Sequence, residues 1–466
     1  MKIIIVVLTV FILLAQQTFS FPTQELKNIW DIPLDPVGYE VIKTYRDGNV
    51  QVEEIYYQSR EYKGKPAQIF GYFCYPVNAN NLPAILISHG GGGTAGQSRT
   101  AIWAKRGYAV LSIDLPGKGE QRADSRSTGP NMEVPILLRT RPDPTDNYLV
   151  HAVAAVRNGI TFLTQRAEVD PDRIGMIGLS WGGVITLLTN GQDKRLKAAI
   201  NVFGAGYIPE GCTWQDRFDA KTEKELTEWY SYIDPKNFLK TQHAPILFMT
   251  GTNDHCYYLP TFQKSYEEVT VPKKLILIPN LQHKFLPYMQ SIAWNWFDNK
   301  LKTGGSFPKV TVQPLHRKGG NKLIIPVIAN AASSIKNATL YYTSGQPSRW
   351  TRRQWQAVDA FFEDGIYYFG IPTSWVEPDM MFYVSVKDSH GSVASSPIRS
   401  IIKVKLHSGE DTYAMSSAIQ GINIHTPPLQ VMGLNRAPEI IKLFFSKQNQ
   451  TYHLFFPQQR SSLPSE

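Results

Sequence analysis

Ile174-Gly175-Met176-Ile177-Gly178-Leu179-Ser180-Trp181-Gly182-Gly183 is the stretch from which the rest of the chain can be read. An apolar run with strand character reaches a G-x-S-x-G pattern at 178–182, and a helix-like segment, 184–188, follows directly. Strand, tight turn and helix in that order are the context of a nucleophile elbow. So tight a turn leaves no room for side chains beside the serine, so small residues flank it and the Ser180 hydroxyl stands clear at the strand's carboxyl end. An ordinary glycine turn is the rival reading, and the strand before, the helix after and the partners described below weigh against it.

Outward from this point, short apolar segments alternate with helical ones. Residues 83–88 read as a strand running into His89-Gly90-Gly91-Gly92-Gly93, helical spacing follows over 98–105, and 108–114 reads as a second buried strand. From Asp146 the apolar positions Leu149, Val153, Val156, Ile160 and Leu163 recur at helix period, which predicts a helix covering one face of a sheet. Residues 196–203, 245–250 and 273–278 supply further strands, and a last helix is expected over 288–301. Earlier, 39–45, 50–58 and 68–75 are rich in β-branched and aromatic residues with Asp47-Gly48 and Lys63-Gly64 between them, which predicts an antiparallel entry of two or three strands. Strands alternating with helices predict an α/β fold, a mostly parallel sheet with helices on both faces, whose functional residues gather at the strands' carboxyl ends.

The texture changes at Ser306-Phe307-Pro308. Over 310–404, strand-like segments such as 323–328, 338–343, 366–371 and 382–386 are separated by Gly, Pro, Asn and Asp turns without a long helical period, the pattern of a small antiparallel β-sandwich. The expected organisation is a leader over 1–20, a catalytic domain over 21–303, the sandwich over 304–405 and a tail over 406–466 whose structure the sequence does not define. Trp350 and Trp355, in the sandwich, look exposed and read equally well as core or as a binding platform.

A serine hydroxyl is a poor nucleophile until a base removes its proton, and that base needs an acid to fix its tautomer and stabilise its charge. Candidates follow in the order Ser, Asp, His. Asp254 ends the run Ile246-Leu247-Phe248-Met249-Thr250-Gly251-Thr252-Asn253-Asp254, and His283 closes the loop after the strand at 273–278. His255 competes with His283, but it sits beside Asp254 on one loop, where neighbours seldom aim at each other. The oxyanion of a tetrahedral intermediate needs backbone donors. The N–H of Trp181, just after the serine, is one, and Gly91, with Gly90 as second choice, supplies the other from the glycine loop. His89 is expected to brace that loop by hydrogen bonds. A phosphate-cradling loop is disfavoured, because no G-K-[ST] follows these glycines and no G-x-G-x-x-G opens a helix. No H-E-x-x-H or paired C-x-x-C spacing occurs, so neither a metal nor an organic cofactor is expected. The connections 204–239, with Tyr207, Trp214, Phe218, Trp229 and Tyr230, and 124–146, with four prolines, are candidates for a lid or pocket walls, and ordinary core packing accounts for the aromatics of the first equally well.

Composition bounds the remaining possibilities. The chain has 466 residues, 42% hydrophobic and 19% charged, which suits two or three globular domains. Met1-Lys2, the apolar run 3–15 and the small residues Thr18 and Ser20 read as a secretory signal peptide, with an uncleaved anchor as the alternative. No later apolar run is long enough for a stable membrane insertion once the leader is removed. The three cysteines, Cys74, Cys212 and Cys256, allow one bridge at most. Asn337 and Asn449 head glycosylation acceptors if the host is a eukaryote. The net charge of +9 is carried by scattered lysines and arginines, with Arg349, Arg352 and Arg353 the one tight group, so no nucleic-acid partner is expected.

Taken together, His89-Gly90-Gly91-Gly92, Asp114-Leu115-Pro116-Gly117-Lys118-Gly119, Val169-Asp170-Pro171-Asp172-Arg173-Ile174-Gly175, Gly178-Leu179-Ser180-Trp181-Gly182-Gly183, Gly251-Thr252-Asn253-Asp254 and His283 resemble the α/β-hydrolase superfamily. The branch is similar to the acetyl xylan esterase and dienelactone hydrolase group, related to prolyl oligopeptidase catalytic domains, over about residues 69–301. The resemblance implies Ser180 as nucleophile, His283 as general base and acid, Asp254 as its orienter, and the amides of Trp181 and Gly91 as oxyanion hole. Dienelactone hydrolases proper carry cysteine at the nucleophile, which Ser180 is not, and the short stretch ahead of the hydrolase strands has no room for the propeller of prolyl oligopeptidases. The trailing sandwich, with Leu340-Tyr341-Tyr342-Thr343 and Trp350-Thr351-Arg352-Arg353-Gln354-Trp355, resembles an immunoglobulin-like domain. The expectation is therefore a secreted serine esterase acting through an acyl-enzyme on small-molecule or carbohydrate esters. A peptidase or deacylase of prolyl oligopeptidase type, and a binding protein whose sandwich does the recognition, are the alternatives; oligomeric state is open.

Overall fold

The computed structural model describes residues 29–119, 123–302, 304–344, 350–377, 380–405 and 411–416, together with the backbone of Leu443–Phe444 and His453–Leu454. The expected leader, Arg349, the Asn449 acceptor and most of the tail lie outside the described residues.

A nine-stranded sheet organises the first part of the chain. Its strands are β1 (Tyr39–Asp47), β2 (Val50–Tyr62), β3 (Lys65–Pro76), β4 (Leu82–Ser88), β5 (Ala109–Ile113), β6 (Val169–Leu179), β7 (Leu196–Val202), β8 (Ile246–Gly251) and β9 (Lys273–Ile278). The spatial order is β1-β2-β3-β5-β4-β6-β7-β8-β9. The first three strands form an antiparallel meander, β3 meets β5 antiparallel, and the remaining six run parallel. Both faces of the parallel part are buried, which is why its strands read as unbroken apolar runs. In β4, Ala84 and Leu86 join one core while Ile85 and Ile87 join the other.

Helices cover both faces. In chain order they are α1 (Gln97–Ala104), α2 (Val134–Leu137), α3 (Tyr148–Thr164), α4 (Trp181–Asn190), α5 (Gln215–Asp219), α6 (Glu223–Tyr232), α7 (Leu259–Glu268) and α8 (Pro287–Leu301). Residues of α3, α4 and α7 pack into one core, and residues of α1 and α8 into the other. The side chain of Asn147 caps α3 by accepting from Leu149 N at 2.8 Å, and its amide donates to the Leu137 and Arg139 carbonyls. The chain passes from β4 to β5 in one direction and then back across β4 to β6. The strand order therefore reverses at β4, and the crevice above the carboxyl ends of β4 and β6 is where such sheets hold their ligands. Among the described residues no helix is long and apolar enough to cross a membrane.

A β-sandwich follows. One sheet contains β10 (Lys309–Val312), β11 (His316–Lys318), β12 (Lys322–Asn330), β15 (Phe361–Glu363) and β16 (Ile366–Pro372). The other contains β13 (Ile335–Thr343), β14 (Gln356–Asp359), β17 (Met381–Asp388), β18 (Val393–Ser395), β19 (Arg399–Lys405) and β20 (Asp411–Ser416), and the two-residue segments 443–444 and 453–454 join it. Leu323, Ile325 and Val327 share a third core with Leu340, Phe382 and Val384. Met381, Tyr383, Ile398 and Trp355, by contrast, belong to the core of the nine-stranded sheet. Trp355 is thus a core residue, not a platform, and Trp350 packs part-buried against the same cluster. On β9, an edge of the large sheet, Leu277 N donates to Ser395 Oγ at 3.0 Å.

His151, on α3, is 3% exposed with Nδ1 unpartnered, and burial pushes its pKa down to about 4. The folded ring resists protonation while the unfolded one accepts it, so this contribution to stability is present above the ordinary histidine pKa and is lost as pH falls toward 4. The expected loss is up to roughly 3 kcal/mol. Urea midpoints measured between pH 7 and 4 should fall less steeply for His151→Gln than for the parent.

Candidate active site

The elbow is built by contact of backbone with backbone. Ser180 sits at φ +59°, ψ −118°, a region that side-chain-bearing residues seldom occupy. Its N–H donates to Val202 O at 2.8 Å, which ties the end of β6 to the end of β7. A Cβ at Gly178 would overlap the Gly182 carbonyl oxygen, and one at Gly182 would overlap that of Ser88 on β4. Both glycines of the sequence pattern are therefore steric requirements of the turn. Trp181 is the first residue of α4, so its N–H lies ahead of the helical ladder and has no partner within it.

The glycine loop lies against the elbow. A Cβ added at Gly90 would stand 3.1 Å from Ser180 Cβ, and one at Gly91 would stand 3.2 Å from Trp181 Cδ1. His89 braces the loop in the expected manner. Leu115 N donates to His89 Nε2 at 3.0 Å, so the ring proton is on Nδ1, which donates to Gly90 O at 2.7 Å. The Asp114 carboxylate accepts from Ala95 N at 2.5 Å and from Arg126 N at 2.7 Å, joining the far end of the loop to the 124–146 connection.

Asp254 and His283 meet across the carboxyl ends of β8 and β9. His283 Nδ1 lies 2.9 and 3.0 Å from the two carboxylate oxygens. A carboxylate only accepts, so Nδ1 carries the proton and Nε2 is left as the basic nitrogen. Asp254 is 1% exposed and also accepts from Cys256 N at 2.7 Å, Tyr257 N at 3.1 Å and Thr250 Oγ1 at 3.3 Å. His255, the rival in sequence, stands edge-on to His283 at 5.8 Å, and the carboxylate takes His283. The His283 ring lies 4.7 Å from that of Phe203, the residue after the Val202 carbonyl that holds Ser180 N. The structure thus brings the pair to the strand next to the elbow. No hydrogen bond joins Ser180 Oγ to His283 among the described contacts, and such bonds commonly tighten only when substrate is bound.

One grouping here had no signal in sequence spacing. Ligand atoms of Asp254, Cys256 and His283 lie within 4.8 Å of one another. Burial pushes the Cys256 thiol up to about 12, so it stays protonated, and a metal on Nδ1 would displace the proton given to Asp254. The cluster fits a hydrogen-bonded acid–imidazole pair with a neutral thiol beside it.

The 204–239 insert divides between two roles. Phe218 and Trp229 are core residues, 5.0 Å apart. Trp214 lies 5.0 Å from Trp181 and 5.8 Å from Tyr257, an aromatic wall beside the elbow. Met132, from the other long connection, lies beside Gly91. A small, largely apolar cavity opens between α1 and α8, lined among others by Ser88, Arg99, Trp103, Leu179, Phe285 and Gln290.

The strand order, the elbow after β6, the glycine loop after β4 and the Asp–His pair after β8 and β9 define the α/β-hydrolase fold. Two family models match parts of the chain: acetyl xylan esterase over residues 19–205 and prolyl oligopeptidase family over residues 150–302. Acetyl esterase Axe7A of Xylanibacter ruminicola is 25% identical over 229 residues, 46% of this chain and 52% of its own length. YtaP of Bacillus subtilis is 25% identical over 198 residues, 38% of this chain and 62% of its own. The chain thus spans about half to three-fifths of these relatives. Acetyl xylan esterase from Paenibacillus sp. R4, a solved structure, superposes with a TM-score of 0.50 at 22% identity, covering 59% of this chain and 92% of that one, and shows the shared fold.

Gly182→Ala is expected to destabilise the protein by roughly 2–3 kcal/mol, because the added methyl meets main chain that cannot step aside. Chemical denaturation of the purified variant beside the parent measures this directly.

Proposed function

We propose that the protein is a serine carboxylic ester hydrolase that removes small acyl groups, acetyl esters of carbohydrates foremost, through an acyl-enzyme. The observation that carries this reading is the Nδ1-protonated His283 held by Asp254 beside the strained Ser180 elbow. Ser180 Oγ attacks the ester carbonyl as His283 Nε2 takes its proton, and the imidazolium, stabilised by Asp254, returns that proton to the departing alcohol. Trp181 N–H and an amide of the glycine loop, Gly91 before Gly90, donate to the oxyanion. Water activated by His283 then attacks the acyl-enzyme and releases the acid. No residue in this scheme calls for a metal or an organic cofactor.

The acetyl xylan esterase match includes both the glycine loop and Ser180, whereas the prolyl oligopeptidase match begins after that loop. The prolyl oligopeptidase match in turn includes Ser180, Asp254 and His283, so the ester reading is supported by the glycine-loop match together with the 25% identity to an acetyl esterase. Export is part of the same proposal, motivated by the leader-like residues 1–20. N-terminal sequencing of protein recovered from the medium should begin at Phe21.

A panel of aryl esters graded by acyl length, run beside acetylated xylan and proline amides, tests the activity. Acetyl esters should be turned over fastest and amides not at all, with kcat falling by about 10⁴-fold or more in Ser180→Ala. Amide cleavage without esterase activity would select the peptidase reading. A parent protein that turns over neither class would leave recognition by the sandwich as the alternative.

A further inference from the structure

We propose that the sandwich is part of the catalytic architecture: its 350–355 segment clamps the loops carrying Asp254 and His283 in register, through Asn253 and Asn280 acting as positioning residues. The catalytic part of this inference rests on the roles proposed for Asp254 and His283.

The two loops come from different strands and the clamp from a third place in the chain. Asn253, buried beside Asp254, donates from Nδ2 to Thr351 O at 3.1 Å and to Arg353 O at 2.7 Å. Asn280, three residues before His283, pairs with the backbone of Trp355 in both directions: Nδ2 donates to Trp355 O and Trp355 N donates to Oδ1, each at 2.8 Å. Thr252 closes the circuit between the loops. Its hydroxyl donates to Asn253 Oδ1 at 2.7 Å and accepts from Asn280 N at 2.8 Å. Asn253 N also donates to Leu281 O at 3.0 Å.

Each part of the circuit is anchored. Trp355 is 4% exposed in the main core, packed edge-on against Tyr383 at 5.2 Å, so the backbone that receives the amides is fixed by a buried aromatic side chain. Asn280 adopts φ +58°, a left-handed conformation that asparagine tolerates better than most residues. An amide side chain bonded to the backbone of another segment on both its donor and its acceptor works as an added rung of β pairing. Loss of either asparagine removes hydrogen bonds to the 350–355 segment and loosens both loops together, because Thr252 and the Asn253 backbone still link one loop to the other. The Asp254–His283 pair needs both loops in register, so misplacement should lower turnover before it lowers substrate binding.

The test uses the full chain with Asn253→Ala, Asn280→Ala, the double variant and Gln263→Ala. Gln263 supplies an equivalent two-way amide contact to the sandwich, with Ile398 N and O at 2.8 and 3.1 Å, but does so from α7, away from the two loops. Ester turnover is normalised to the fraction of sites that titrate with a fluorophosphonate, so that unfolded protein is not counted. The clamp predicts a kcat loss of about 10- to 100-fold in each asparagine variant with KM changed less than about threefold. It also predicts a double variant little worse than either single, and Gln263→Ala within about twofold of the parent. Hydrogen exchange gives a readout independent of activity: peptides covering 252–257 and 279–284 should both exchange faster in either single asparagine variant and remain protected in Gln263→Ala. Faster exchange in only the loop that carries the substitution, or equal losses in Gln263→Ala, would overturn the clamp. Coupled exchange in a parent protein that hydrolyses nothing would leave the clamp standing and remove the catalytic roles instead.

Discussion

The approach of bare backbone to bare backbone between β4, β6 and the start of α4 is the constraint on which the rest depends. Gly182 can seat against the Ser88 carbonyl only because it has no side chain, and Gly178 against Gly182 for the same reason. That seating forces Ser180 into a conformation costing roughly 1–3 kcal/mol. The cost is met by α4, whose residues are all buried, and by the Ser180 N–H bond to β7. The position of the hydroxyl is therefore set by the packed core beneath it and not by the loops around it.

Two carboxylates at strand ends do parallel structural work. Asp114, after β5, accepts two backbone N–H groups and so joins the glycine loop to the connection that passes beside Gly91. Asp254, after β8, accepts two backbone N–H groups, a hydroxyl and an imidazole. Bonds of this kind hold each carboxylate in one orientation. The two halves of the proposed site, the oxyanion loop and the base, are thus each organised by a saturated carboxylate, with the elbow between them.

What could be read from the sequence was whatever chemistry is local along the chain. The elbow declares itself because its glycines and serine are neighbours, and β4 declares itself because Ala84, Leu86, Ile85 and Ile87 fill two cores in alternation. The preference for His283 over His255 as proposed base also came from local geometry, and in the structure it is His283 that bonds the Asp254 carboxylate. The Asp254 carboxylate folds back onto the N–H groups of Cys256 and Tyr257, and the imidazole that reaches it comes from another loop. The same fold-back brings Cys256 beside the pair, which no spacing motif announces. Phe218, Trp229 and Trp355 illustrate the opposite limit: an aromatic side chain in an insert or a turn carries no mark of whether it will meet water or core. Asn253 and Asn280 stand in the loops that follow β8 and β9, but the partners of their side chains lie 75 to 100 residues further on.

The placement of the sandwich follows from the topology of the sheet. The strand before the proposed base, β9, is an edge, paired with β8 among the described residues. An uncovered edge offers unpaired backbone groups to other chains, and its outer side gives a following loop little to rest on. The sandwich meets both needs at one place. Ser395 satisfies an outward N–H of β9, Tyr383 reaches the Leu277 carbonyl, and a few residues away the backbone of Trp355 receives Asn280. Where a parallel sheet ends on the strand that leads to its proposed base, protecting the edge and holding that residue become one structural problem, and under the proposed clamp a single covering unit solves it.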